Sequence, residues 1–304
     1  MRSYLILLSF LIPLLTACKD KQTDTTVAGD PVEEAVAPDT EDKLLGLIEK
    51  DDLMKPAFED WFQPTYEDYQ VNTGLVDSFK EELAEYEIEV FMGTWCEDSQ
   101  REVPTLYKIL EAADFPMEQL TVVAIDDEIE NYKLSPGKEE YGKNIHHVPT
   151  IIFNKDEAEV NRIIEYPVRT IEEDIPVILS ENYLPYYYVA DLIHNKLNSM
   201  GLEAFKANME SLASEFEGKP RDVYELNTYA KTIFRQGKKE EGIAVAKLNT
   251  MIYPEDANSY AGLGARFSDM ERYEEAIAQF EKALELAPGD SEFQGLLDEA
   301  KEKL

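Results

Sequence analysis

The sequence predicts an α/β layer, a mixed central sheet flanked by helices, followed by an all-α region. Three observations carry this. Between residues 88 and 180, short apolar strand patterns and helical patterns alternate in the order strand, helix, strand, two closely spaced strands, helix. From Val189 onward only helical periodicity remains. Within that stretch Pro220, Pro254 and Pro288 stand 34 residues apart, a period that signals repeated helical units. The boundary falls near Leu184-Pro185, giving an α/β domain over 44–184 and a helical domain over 185–304.

The 304 residues, 44% of them hydrophobic, suffice for real cores. Asp and Glu outnumber Lys and Arg by 63 to 29, for a net charge of −34. Such a chain repels nucleic acid and anionic headgroups, so a nucleic-acid partner is excluded. Otherwise the acidity describes a well-solvated surface.

Residues 1–17 read as a processing signal. Arg2 precedes an apolar run from Leu5 to Leu15, interrupted by Ser9 and Pro13 and too short to cross a bilayer. The run closes on Leu15-Thr16-Ala17-Cys18, which resembles the bacterial lipobox. The resemblance implies that Cys18 is lipidated and becomes the first residue. The protein is then expected in the bacterial cell envelope, lipid-anchored to a membrane and facing the periplasm or the exterior. Competing readings are a plain secretory signal that leaves Cys18 free, and a cytosolic protein with a buried N-terminal helix. Residues 18–43 hold no aromatic residue and read as a flexible tether, with a reach of roughly 25–30 Å.

Leu44 to Met54 is expected to form a short amphipathic helix. The aromatic-rich stretch Phe58, Trp61, Phe62, Tyr66, Tyr69 follows, then Leu75, Val76, Phe79, Leu83 and Tyr86 at helical spacing. Ile88–Met92 is a strand. Asp98–Ala113 is a helix with Val103, Leu106, Tyr107 and Leu110 on one face, expected to kink at Pro104. Leu120–Ile125 is a buried strand, and 126–144 is a long polar insertion. Pro149–Phe153 and Val160–Ile164 form a hairpin. Thr170 caps a last helix running to about Ser180, with Glu172, Glu173 and Asp174 in its first turn.

The chain has two cysteines. With Cys18 carrying lipid, Cys96 is the one thiol and no intramolecular disulfide forms. Cys96 lies in Gly93-Thr94-Trp95-Cys96-Glu97-Asp98-Ser99, between a strand and a helix. A helix N-terminus favours the thiolate, while Glu97 and Asp98 oppose it. This segment, with Val148-Pro149-Thr150 ahead of Ile151-Ile152-Phe153, resembles the thioredoxin family over residues 56–182. The resemblance implies catalysis at Cys96, with Trp95 shielding the sulfur and Ser99 orienting or solvating it. It implies a substrate surface at Val148, Pro149, Thr150 and His147, with a cis bond before Pro149.

The chain departs from the family pattern in several places. Ser99 stands where the second cysteine would, so the dithiol cycle is lost. Val90 stands where the family keeps a buried acid. His146 and His147 precede the proline loop, where a protonated imidazole within reach of Cys96 would favour the thiolate; the competing role for both is structural. Monothiol glutaredoxins are excluded by the missing glycine-rich loop, and peroxiredoxins by Gly93 in place of threonine. With three His and no ligand spacing, neither a metal nor a cofactor is expected.

In the tail, Tyr260, Leu263-Gly264, Phe267, Ala276, Phe280, Ala283 and Pro288 resemble a tetratricopeptide repeat over about 257–290. A weaker unit over about 223–256 keeps Leu226, Tyr229-Ala230, Ile233 and Pro254, with Gly242 where the small Ala sits. Residues 189–220 are expected to form a pair of helices.

Two functions follow as expectations. One is a membrane-tethered monothiol protein acting through Cys96 on disulfides or mixed disulfides of exported or envelope proteins, with thiol-disulfide oxidoreductase or isomerase chemistry and an external thiol as reductant. The other is a noncatalytic binding scaffold with an idle thiol and a peptide groove in the helical repeats.

Overall fold

The computed structural model describes residues 43–304. Cys18, the expected signal peptide and all but the last residue of the expected tether lie outside the described residues. Lys43, that last residue, is bound: its ammonium pairs with Asp126, with Asp127 at 2.8 Å and with Glu128 at 3.3 Å.

A five-stranded mixed sheet is built from β1 (Gly46–Ile48), β2 (Glu87–Met92), β3 (Leu120–Ala124), β4 (Thr150–Lys155) and β5 (Ala158–Ile164). Its order is β1-β3-β2-β4-β5, with β2 parallel to β3 and every other pair antiparallel. The period of two sorts its residues between two cores. Ile88, Val90 and Met92 of β2 join one cluster with Val122, Ala124, Ile151 and Phe153. Phe91 joins Val123, Ile125, Val148 and Ile152 on the other face, against which Trp95 and Cys96 pack. The helices of this region are α1 (Lys50–Leu53), α2 (Glu59–Asp68), α3 (Thr73–Leu83), α4 (Glu97–Ala112) and α5 (Ile171–Leu179). The aromatic stretch becomes α2, where Phe62 meets Tyr107 of α4 edge to face at 5.9 Å. Thr170 caps α5 by accepting Glu173 N–H at 3.2 Å, and α4 continues as one helix through Pro104.

The expected helix over Leu44–Met54 is corrected: its first half is strand β1 and only α1 is helical. Leu47 faces outward between buried Gly46 and Ile48, the alternation of an edge strand, and Gly46 holds φ +82°, which no helix accommodates. So short an apolar run gives periodicity too little to arbitrate.

From Val189 the chain is helical: α6 (Val189–Met200), α7 (Leu202–Ala207), α8 (Met209–Phe216), α9 (Val223–Arg235), α10 (Lys239–Ile252), α11 (Ala257–Ser268), α12 (Tyr273–Leu286) and α13 (Ser291–Lys303). The helix pair expected over 189–220 is three helices, because Gly201 at φ +78° and Asn208 each interrupt it. The 34-residue period is physical. Asp222, Asp256 and Asp290 cap α9, α11 and α13, each carboxylate accepting the N–H two residues on at 2.8, 2.9 and 2.9 Å. Small residues set the spacing within each pair. A Cβ on Gly242 of α10 would lie 2.8 Å from the Ala230 carbonyl of α9. One period later the same two positions are Ala276 and Gly264, so glycine and alanine have exchanged sides.

Polar contacts tie the helical region to its own first segment, and a cation–π contact ties it to the sheet region. Glu225 of α9 accepts the amides of Val189 and Ala190 at 2.7 and 3.0 Å. Arg221 Nε donates to the Tyr186 carbonyl at 3.1 Å. The Lys231 ammonium of α9 sits 3.4 Å from the centroid of the Tyr132 ring.

Candidate functional site

β2 ends at Gly93, and the next three residues turn the chain into α4. Only glycine fits there: a Cβ would lie 2.4 Å from Trp95 Cε2. Hydrogen bonds fasten the turn. Cys96 N–H donates to Gly93 O at 3.0 Å. Gly93 N–H donates to Ser99 Oγ at 3.2 Å. Thr94 Oγ1 accepts Leu44 N–H at 3.1 Å, and Thr94 O accepts Gln100 Nε2 at 2.7 Å. Trp95 Nε1 donates to Ile125 O at 2.9 Å, which lays the indole over the end of β3.

Cys96 is the N-cap of α4 and a free, partly exposed thiol. Its Sγ–H donates to the Val148 carbonyl at 3.3 Å. The Val148–Pro149 bond is cis, and the contact with Val148 O sets the sulfur against the proline loop. Thr150 Oγ1 donates to His147 O at 2.7 Å and closes that loop. Val148, Pro149 and Thr150 are buried.

Two expectations about individual residues change. Ser99 is fully buried and its oxygen accepts the Gly93 amide; among the described residues it makes no hydrogen bond to Cys96, so it fastens the turn rather than orienting the sulfur. The histidines are buried rather than turned out to the sulfur. His146 and His147 share a 2.7 Å Nδ1···Nδ1 contact, His147 stacks on Tyr187 at 4.2 Å, and His146 Nε2 lies 3.8 Å from Asp191. Burial, first of all, pushes both imidazoles below the ordinary histidine value, His147 well below. They are therefore neutral at pH 7 and supply no positive charge to Cys96. Of the acidic neighbours, Asp98 is paired with Arg101 at 2.6 Å, an i,i+3 pair along α4, and Arg101 also reaches Glu102 at 2.8 Å.

Sequence reasoning missed Lys133 and Glu165. Lys133 sits in the polar insertion, which closes on itself through Lys133 N–H to Asp126 O at 2.8 Å and Asp126 N–H to Leu134 O at 3.0 Å. The Lys133 side chain is buried, its ammonium 5.6 Å from the centroid of Trp95 and 5.1 Å from that of Tyr132. Burial lowers it from 10.5 to about 8, against the opposing pull of Cys96 and Glu165. Glu165 follows β5 directly, its N–H donating to Pro149 O at 2.7 Å. Burial, then the charge of Asp98, pushes its carboxyl up to about 7. No spacing rule links residues 96, 133 and 165, and nothing in the sequence sets Lys133 apart from Lys138 and Lys143 of the same insertion.

Among the described residues, no group of three or more His, Cys, Asp or Glu is arranged to hold a metal ion. No helix among them is long and apolar enough to cross a membrane. No family model and no curated protein sequence matches this chain.

Proposed function

We propose that this chain is a membrane-tethered, thioredoxin-like monothiol protein that acts through Cys96 on disulfides or mixed disulfides of exported proteins. The observation that carries the reading is the Cys96 sulfur at a strand-to-helix junction, 3.3 Å from the carbonyl that precedes cis-Pro149. A helix N-terminus favours a thiolate. In the family that the chain resembles, the backbone at the Val148 position binds an extended substrate segment. With Ser99 in place of a second thiol, Cys96 attacks one sulfur of a disulfide, a new S–S bond forms, and the other sulfur leaves as a thiolate. An external thiol then attacks the mixed disulfide and frees Cys96. This cycle suits isomerisation or removal of a bound small thiol.

The lipobox-like Leu15-Thr16-Ala17-Cys18 is the basis for placing the protein on a membrane of the cell envelope. The 34-residue pairs, read as tetratricopeptide-like repeats, supply a partner surface. A cleft of about 750 Å³ lies between them, lined by Asn227, Lys231, Asn258 and Arg266 together with Ile129 and Glu130 of the insertion.

The test is adduct formation. Full-length protein is incubated with oxidised glutathione and with a disulfide-bonded unfolded protein, then analysed by mass without reductant. One adduct per chain, lost in Cys96→Ser, is expected. Absence of any adduct on the wild type sinks the thiol reading and leaves the binding-scaffold reading, under which Cys96→Ala changes nothing.

A further inference from the structure

We infer that Lys133 holds Cys96 in its thiolate form and that Glu165 exchanges the proton with the departing or incoming thiol, so that three separated segments make one reactive site; the inference rests on the thiol reading above. Lys133 is 4% exposed, and among the described residues its ammonium has neither a hydrogen bond nor a carboxylate within ion-pair range. A buried ammonium without an anion is costly, and proteins rarely leave one so. Its aromatic neighbours Trp95 and Tyr132 offer ring faces and no negative charge. The charges that act on it are Cys96 and Glu165, which favour its protonated form, and Lys231, which opposes it. The anion that Lys133 lacks is supplied when Cys96 ionises.

The position is built rather than incidental. The backbone of Lys133 is left-handed at φ +58° and locked to Asp126 on both sides of the closure. Tyr132 beside it is fixed under Lys231 of α9. The insertion thus presents one lysine to the indole that flanks the sulfur, while its acidic residues Asp126, Asp127 and Glu128 are turned to Lys43.

Glu165 replaces a function the sheet cannot supply. Val90 is fully buried in an apolar cluster, so no proton carrier lies behind the sulfur there. Glu165 is tied to Pro149 of the facing loop, and the charges upon it are Asp98, Lys133 and Asp222, with the Tyr187 hydroxyl nearby. A carboxyl that titrates near neutrality can give and take a proton within one cycle. In the first step the Cys96 thiolate forms the new S–S bond, and the leaving thiolate takes the proton from Glu165. In the second, Glu165 takes the proton of the external thiol, whose sulfur displaces Cys96 as a thiolate facing Lys133. Electrons and protons balance, and the external thiol is the one co-reactant.

The test uses full-length wild type, Lys133→Met, Lys133→Arg and Glu165→Gln. Two rates are read across pH 5.5–9: alkylation of Cys96 by iodoacetamide, and release of a preformed glutathione adduct by dithiothreitol. Lys133→Met should slow alkylation at pH 7 by about tenfold, the effect of losing one nearby opposite charge, and Lys133→Arg should retain most of the rate. Glu165→Gln should leave alkylation equal or faster. It should slow adduct release by about tenfold or more and remove the inflection near pH 7 from that profile. Lys133→Met alkylating at the wild-type rate, or Glu165→Gln keeping the inflection, overturns the inference while a reactive wild type leaves the thiol reading standing. A wild type that forms no adduct overturns both.

Discussion

Lys133→Met should make the protein more stable at neutral pH while making its thiol slower. The side chain is 4% exposed, and burial holds its ammonium at about 8 against an ordinary 10.5. The folded state therefore binds this proton more weakly than the unfolded chain. The sign follows: the cost is fully present below about pH 8 and fades as pH rises toward 10.5. A gap of about 2.5 units at 1.36 kcal/mol each sets an upper bound of about 3 kcal/mol at pH 7. The cation–π contacts with Trp95 and Tyr132 are lost in the variant, which takes back about 0.5–2 kcal/mol. Methionine matches the stem in length and adapts to the slot. The net expectation is a gain of about 1–2 kcal/mol at pH 7 that shrinks toward zero or reverses by pH 10.5. Urea unfolding of both proteins at pH 7 and pH 10 measures it, each pair compared at one pH so that other titrations cancel. A variant less stable than wild type at pH 7, or an equal gain at both pH values, refutes the account of Lys133 as a charge held out of water.

Two further expectations concern the helical region. Gly264→Ala would place a Cβ 2.6 Å from Phe280 Cε1 inside the α11–α12 contact; overpacking of about 1–3 kcal/mol outweighs the helix-propensity gain of about 0.5–1 kcal/mol, so its urea midpoint should fall. Gly295→Ala in α13 meets nothing within 4 Å and should raise it. Glu225 is fully buried, and burial pushes its carboxyl up to about 7 despite its three backbone donors. A raised carboxyl favours folding below about pH 4.5, and that contribution is lost as pH rises through 7. Glu225→Gln cannot ionise, so its stability relative to wild type should rise between pH 4.5 and 7; a flat difference in thermal midpoints across that window rejects the assignment.

How far the sequence could be read depended on whether a feature was local. The strands β2 to β5, the helix after Cys96 and the 34-residue period were legible because each writes its own periodicity or spacing into adjacent residues. Val148–Pro149 was legible as a cis bond only through resemblance. β1 was not legible, since an edge strand is defined by its pairing with β3 across more than seventy residues, and its three residues are too few to show a periodicity. The role of Ser99 was misjudged, and those of His146 and His147 were left open between two readings, for a related reason. The residue types admit both buried and exposed roles, and only packing decides: Gly93 takes the Ser99 oxygen, and Tyr187 and Asp191, from beyond the sheet, cover the imidazoles. The Asp caps were readable and unread, at one period apart just before each first helix.

The same distinction bears on how the two regions work together. The insertion that carries Lys133 has no periodicity of its own and no helix or strand; it is held at one end by Lys43 and beside Tyr132 by Lys231 of α9. Residues 129 and 130 of that insertion line the cleft between the repeated helices, and three residues later Lys133 lies against Trp95. On the proposed reading, a partner in the cleft would contact the segment that carries Lys133. We expect such a partner and the reactivity of the thiol to be linked through this short stretch of backbone, each affecting the other. Lys231→Ala, which frees the Tyr132 ring without touching the Cys96 turn, removes that link at its stem.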